Sequence, residues 1–152
     1  MANNEYRKLP TGIQAFNIIR EEGYLYVDKT DMVWKLANKG LKYNYLSRPR
    51  RFGKSVLIDT LQCYFEGRKE LFEGLKIMDL EKDWKAYPVI RLDMSRGGAN
   101  AETLRSYLNL RFGYYEEKYV ITPDPTAQLA DRFDAIITTA YKQTGLKVAI
   151  LI

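Results

Sequence analysis

Residues 46–55 read Leu46-Ser47-Arg48-Pro49-Arg50-Arg51-Phe52-Gly53-Lys54-Ser55, and the meaning of this stretch decides the fold. A phosphate-binding loop (P-loop) needs a strand, then a turn whose backbone N–H groups point inward, then Gly-Lys-Ser/Thr opening a helix. The N–H groups and the positive helix end hold phosphate oxygens. The lysine reaches the terminal phosphates and the hydroxyl ligates Mg²⁺. Gly53-Lys54-Ser55 supplies those last three positions. The usual pattern G-x-x-x-x-G-K-[ST] is broken at its first position, where Arg48 replaces glycine. Arginine adopts positive φ less cheaply than glycine, so the loop entrance differs in shape, and Pro49 stiffens it by fixing φ.

The flanking sequence supports the strand–loop–helix order. Residues 42–47 (KYNYLS) alternate toward a strand, and Val56, Leu57, Leu61, Tyr64 and Phe65 lie at helical spacing up to Gly67. Upstream, residues 11–22 predict a helix on Ile13, Phe16 and Ile19 that stops at Gly23. Tyr24-Leu25-Tyr26-Val27 is short and β-prone, and Asp28 or Thr30 then caps a helix that ends near Gly40. Downstream, Pro88-Val89-Ile90-Arg91-Leu92-Asp93 reads as a strand and residues 101–118 as a long amphipathic helix. Asp124-Pro125 signals another helix, closed by Gly145. Val148-Ala149-Ile150-Leu151-Ile152 is a continuous apolar run, typical of a strand buried on both faces. Strands separated by helices imply α/β architecture: a parallel sheet flanked by helices, like that of P-loop NTPases.

Composition narrows the chemistry. At 152 residues the chain suits one domain with a real core, and 46% hydrophobic against 28% charged residues is globular. The net charge of +5 permits an anionic ligand without by itself arguing for DNA. One cysteine, Cys63, excludes an internal disulfide framework, and it falls on an apolar helix face that reads as core. No signal-type segment follows Met1 and no apolar run approaches a membrane span, so a cytoplasmic, non-membrane protein is expected. Histidine is absent, which removes Ser-His and Cys-His nucleophile pairs and His-bearing zinc sites.

The ten residues 46–55 closely resemble the loop of the bacterial AAA-ATPase-like family, which reads SRPRRFGKS, so the missing first glycine is that family's own variation. Gly23-Tyr24-Leu25-Tyr26-Val27-Asp28-Lys29-Thr30, Tyr64-Phe65-Glu66-Gly67 and Val89-Ile90-Arg91-Leu92-Asp93-Met94-Ser95 also look like the family's pattern. The resemblance covers nearly the whole chain, and it implies an ATP-binding domain whose segment 23–30 lies near the nucleotide base. In that family the ATPase domain runs on into further strands, often followed by a domain similar to PD-(D/E)XK nucleases. The Walker B acids, typically DEYD, follow an apolar strand like Ile150-Leu151-Ile152. The resemblance therefore makes residues 1–152 the N-terminal part of such a domain, with a sheet incomplete at its C-terminal end and no hydrolysis of its own. Nucleic acid would then be a partner of the nuclease-like domain. The open sheet edges invite self-association.

The expected nucleotide site runs over Arg50, Arg51, Phe52, Gly53, Lys54, Ser55 and Val56, taking ATP and Mg²⁺, the metal through Ser55. Lys54 contacts the β- and γ-phosphates, and the backbone of residues 50–53 supplies N–H donors. Arg50 and Arg51 either contact phosphate or face water, and Arg48 either does the same or braces the loop against a carboxylate. Asp28 or Thr30 is read first as a cap. Asp93 ends a strand where open α/β sheets bind ligands, although polar strand ends are ordinary. No catalytic residue is assigned. Two rival readings remain: a basic nucleic-acid-binding module using Arg48, Arg50, Arg51, Lys54, Arg105 and Arg111, and a P-loop kinase of small molecules. For most of the twelve tyrosines, Tyr114 and Tyr115 among them, spacing favours partly buried core over a base-stacking platform.

Overall fold

Apolar residues three and four apart dominate the first half of the sequence, and helices form there. The computed structural model describes residues 7–47, 49, 51–98 and 100–152. Its chain divides into two compact units, Met1–Ala86 and Tyr87–Ile152.

The first unit is helical: α1 (Phe16–Glu21), α2 (Thr30–Lys39), α3 (Lys54–Phe65) and α4 (Ile77–Leu80), with a 3₁₀ turn at Lys69–Phe72. The core gathers Phe16, Val33, Cys63, Tyr64, Phe72 and Ile77. Phe72 has no exposed surface and touches three rings: Phe16 at 4.9 Å, Trp84 at 5.2 Å and Tyr64 at 6.4 Å between centroids. Such ring pairs contribute about 0.5–1.5 kcal/mol each beyond the area they bury. Gly67, past the end of α3, has φ +71°, and a Cβ there would stand 3.1 Å from the Trp84 carbonyl oxygen. Turn conformation and close approach both require glycine at that position.

Side chains complete the helix ends that backbone leaves open. Ala15 cannot cap α1, so the Phe16 N–H donates to the Asp59 carboxylate of α3 at 2.6 Å. At the other end the Arg20 guanidinium donates to the carbonyls of Leu71 (2.7 Å) and Glu73 (2.6 Å). Asp28 joins two further helices. Its carboxylate accepts the Thr30 N–H (2.9 Å), the Thr30 hydroxyl (2.7 Å) and the Lys76 N–H (2.7 Å). The fully buried Thr30 hydroxyl accepts in turn from the Ile77 N–H at 3.1 Å.

The second unit holds β1 (Val89–Arg91), α5 (Ala101–Lys118), α6 (Leu129–Thr144) and β2 (Ala149–Leu151), with a 3₁₀ turn at Met94–Gly97. The strands pair in parallel, with Val89 opposite Ala149, Ile90 opposite Ile150 and Arg91 opposite Leu151. A parallel pair needs a long crossover, which α5 and α6 provide. Ile90, Leu92, Phe112, Tyr115, Ile136 and Ala140 make the core, with Phe112 stacked on Phe133 at 5.3 Å. Two tyrosine hydroxyls from α5 accept backbone N–H groups at β1: Tyr115 from Arg91 (2.7 Å) and Tyr107 from Asp93 (2.6 Å). Between α5 and α6, Glu116 is 4% exposed and takes a two-pronged grip from Arg132, at 2.7 and 2.8 Å.

The architecture is thus broadly α/β, mixing helices with a small parallel sheet. It differs from the sequence reading in four places. Residues 24–27 and 42–47 are coil, because an extended segment becomes a strand only when a neighbour completes its ladder. The first helix starts at Phe16 and not at residue 11, since residues 11–12 form a turn with Gly12 at φ +78°. Asp124 caps no helix. It accepts the N–H and the hydroxyl of Thr126 (2.8 and 2.6 Å) in a local turn, and α6 begins later, at Leu129. Finally, β2 is not covered on both faces, for Ile150 is exposed. No helix among the described residues is long and apolar enough to cross a membrane.

The Arg132 hydrogen bonds hold the Glu116 carboxyl below its ordinary value, outweighing the upward push of burial. A depressed folded-state pKa gives stability that is complete above the unfolded carboxyl value, about pH 4.3, and lost as pH falls through the folded value. Glu116→Gln leaves Arg132 without its anion and should cost about 3–5 kcal/mol at pH 7. In urea melts, the gap between variant and wild type should narrow as pH drops below about 4.

Candidate phosphate-binding loop

The loop at the start of α3 owes its shape to two left-handed residues. Arg51 has φ +67° and Gly53 φ +74°. Gly53 is the N-cap of α3 and brings no side-chain acceptor, and the helical ladder opens with the Leu57 N–H on the Gly53 carbonyl at 3.0 Å. A helix contains no carbonyl for its opening N–H groups, here including those of Ser55 and Val56. Together with the helix dipole, these make the end electropositive and suited to an anion. Arg51, Phe52, Gly53, Lys54 and Ser55 are exposed and Val56 is half-buried. Arg48 and Arg50 lie outside the described residues. The geometry thus gathers Arg51 to Val56 at one exposed helix start.

The helix beneath the loop is firmly held. The Asp59 contact with Phe16 sits one turn past Ser55. The buried Thr60 hydroxyl donates to the Val56 carbonyl at 2.7 Å. At the far end of α3, the Tyr64 hydroxyl donates to Glu81 and accepts from Asn38 at 3.0 Å. Burial alone would raise the Glu81 carboxyl, but Tyr64 and the N–H groups of Asp83, Lys82 and Trp84 outweigh it and hold it low.

The other expected residues are engaged elsewhere. Asp28 and Thr30 form the clasp between α2 and α4. Burial pushes the Asp28 carboxyl up, and the N–H groups of Lys76 and Thr30 pull it further down. Asp93, in the second unit, accepts from the Ser95 N–H (3.2 Å) and hydroxyl (2.5 Å) and has Arg96 at 3.7 Å. Arg111 lies against the rings of Tyr114 and Tyr115 and donates to the Arg91 carbonyl at 3.3 Å. Cys63 is buried, as expected. Among the described residues no group of three or more His, Cys, Asp or Glu side chains could hold a metal ion.

Two features escaped the sequence reading. Asp59 carried a signal, a carboxylate on an otherwise apolar helix, but its partner in α1 is not local. The charge pattern was readable throughout: from 32 to 58 the chain has Lys35, Lys39, Lys42, Arg48, Arg50, Arg51 and Lys54 and no Asp or Glu. Against a net charge of +5, these seven cations leave the remainder at −2. Positive potential is concentrated on the segment carrying the loop.

Over residues 10–152 the sequence matches the model of the AAA-ATPase-like family, described as predicted AAA-ATPase, and the chain belongs to that family. It is 38% identical over 149 residues to an uncharacterized protein in the vnfD 5′ region of Azotobacter chroococcum mcd 1. The match takes in 96% of this chain and 28% of that relative, so the chain spans less than a third of the relative's length. No solved structure matches the chain.

Nothing stands within 4 Å of a Cβ added at Gly53. Gly53→Ala should therefore cost only the left-handed backbone penalty, about 1–2 kcal/mol. A chemical denaturation series should show that loss and no more. A larger loss would mean that the loop is packed in a way this geometry does not contain.

Proposed function

We propose that the chain binds ATP·Mg²⁺ on the loop 50–56 and forms the N-terminal part of a P-loop ATPase domain. The observation that carries this is the exposed helix start with Gly53 left-handed, Lys54 and Ser55 in its first turn, and no acidic side chain from 32 to 58. Family membership supports it. In this reading Lys54 contacts the β- and γ-phosphates, and the N–H groups around Gly53 cradle them. The Ser55 hydroxyl is one Mg²⁺ ligand, and phosphate oxygens and water supply the others, which suits a metal that keeps its waters and needs no protein cage. Arg50 and Arg51 add positive charge at the loop. Hydrolysis needs a carboxylate to help hold Mg²⁺ and a group to place the attacking water. Asp28 is committed to its clasp, so binding without turnover is the proposed behaviour of this chain.

ATP·Mg²⁺ at about 100 times its dissociation constant should add about 2.7 kcal/mol to stability. That is a melting shift of roughly 5–10 °C for a chain in this size range. Lys54→Ala should remove the shift while leaving the unliganded melting point nearly unchanged, because the side chain is exposed. Calorimetric ATP affinity unchanged in Lys54→Ala would overturn the reading. Turnover of ATP by the wild-type chain, lost in that variant, would refute the separation of binding from hydrolysis.

A further inference from the structure

Among the described residues three that are not glycine take a left-handed backbone: Arg51 at φ +67°, Trp84 at +44° and Val120 at +55°. Crowding between Cβ and backbone makes that conformation costly for an L-residue. The fold accounts for two of the three. The Trp84 ring packs on Phe72 at 5.2 Å and on Tyr64 at 5.9 Å. Val120 ends α5, with its N–H on the Glu117 carbonyl at 3.1 Å and the Ile121 N–H on that of Glu116 at 2.8 Å. Arg51 is exposed, and among the described residues it takes part in no hydrogen bond, ion pair or ring contact. Glycine would take the same φ freely, so the arginine destabilises its own loop.

The cations around it are engaged. Lys35 pairs with Asp31 at 3.0 Å, and the ammonium groups of Lys39 and Lys42 lie over the rings of Trp34 and Tyr43, at 5.3 and 5.4 Å. Arg51 stands two residues before the left-handed Gly53 that opens α3, in a stretch with no Asp or Glu from 32 to 58 to neutralise it. What its side chain brings is a planar fork of donors, matched to phosphate oxygens.

We propose that Arg51 distinguishes a nucleoside triphosphate from a diphosphate, its guanidinium gripping the terminal phosphate. This rests on the nucleotide reading of the loop and deepens it. The backbone, Lys54 and Ser55 hold either nucleotide, and the phosphate that only the triphosphate carries meets the uncommitted arginine. The left-handed strain is what the unliganded loop bears to keep that guanidinium in place.

The signature is a pair of opposite changes. By calorimetry, Arg51→Gly should weaken ATP·Mg²⁺ binding about 10- to 100-fold and ADP·Mg²⁺ binding less than about 3-fold. The same variant should melt about 2–4 °C higher than wild type without ligand. Arg51→Ala keeps the strained Cβ, so it should lose the same ATP affinity with its melting point unchanged. An arginine that merely shapes the loop would not separate ATP from ADP. Equal losses for both nucleotides, or a lowered melting point in Arg51→Gly, would overturn the inference. Unchanged ATP affinity in Arg51→Gly, with binding abolished in Lys54→Ala, would overturn it and leave the nucleotide reading standing. Unchanged ATP affinity in both variants would remove the reading and the inference together.

Discussion

The burial of Phe72 is the constraint from which the first unit is built. Its ring reaches Phe16 on α1, Tyr64 on α3 and Trp84 after α4, so three otherwise separate segments share one apolar centre. Helices as short as α1 and α4 are not stable in water alone, and packing of this kind keeps them formed. The polar contacts depend on it in turn. The Asp59–Phe16 bond and the grip of Arg20 on Leu71 and Glu73 form only once the rings bring these groups within reach. The exposed loop contributes little to this core and stands on a helix that the core fixes.

Such an arrangement separates what holds the site from what composes it. The carboxylates of Asp28, Asp59 and Glu81 are all spent on structure, binding backbone N–H groups or a tyrosine hydroxyl. The loop is left cationic. All three carboxylates are half-buried, and each ties its own element to a neighbour. In the proposed reading, phosphate binding at the loop then falls to the backbone, Lys54 and Ser55.

Much of this was legible in the sequence where the cause is local. The bounds of α2, α3 and α5 follow from apolar spacing, and Gly67 and Gly145 end helices at positive φ as glycines do. A helix opening just after Gly53 could be read from local signals, whereas the left-handed Arg51 before it could not. What could not be read depends on partners far along the chain. Residues 42–47 alternate as a strand should, yet alternation describes side-chain faces and says nothing about who completes the ladder. Asp124-Pro125 carries a helix-start signal that Thr126 captures first, turning the aspartate into a local turn. Asp28 was read as a cap, but Lys29 takes the N-cap position of α2; Asp28 instead holds Thr30 in a local turn, and its second partner at Lys76 is a tertiary contact. Of the tyrosines, Tyr64, Tyr115 and Tyr119 are core as spacing suggests, while Tyr114, expected to be partly buried, is exposed on α5 and Tyr43 and Tyr45 stand exposed on coil.

The register that pairs Val89 with Ala149 also sets an order of events in time. Contacts within α5 and α6 are short-range and form quickly, whereas joining residue 89 to residue 149 closes a long loop at an entropic cost. Packing α5 against α6 shortens that loop, which favours helix docking before the ladder. During synthesis the constraint is stricter, for β2 leaves the ribosome after every other element of its unit. Until then the polar partners of β1 include the hydroxyls of Tyr107 and Tyr115 and the Arg111 guanidinium. Those two tyrosines thus act as attendants of a nascent strand, covering one side of it while its true neighbour is still being made.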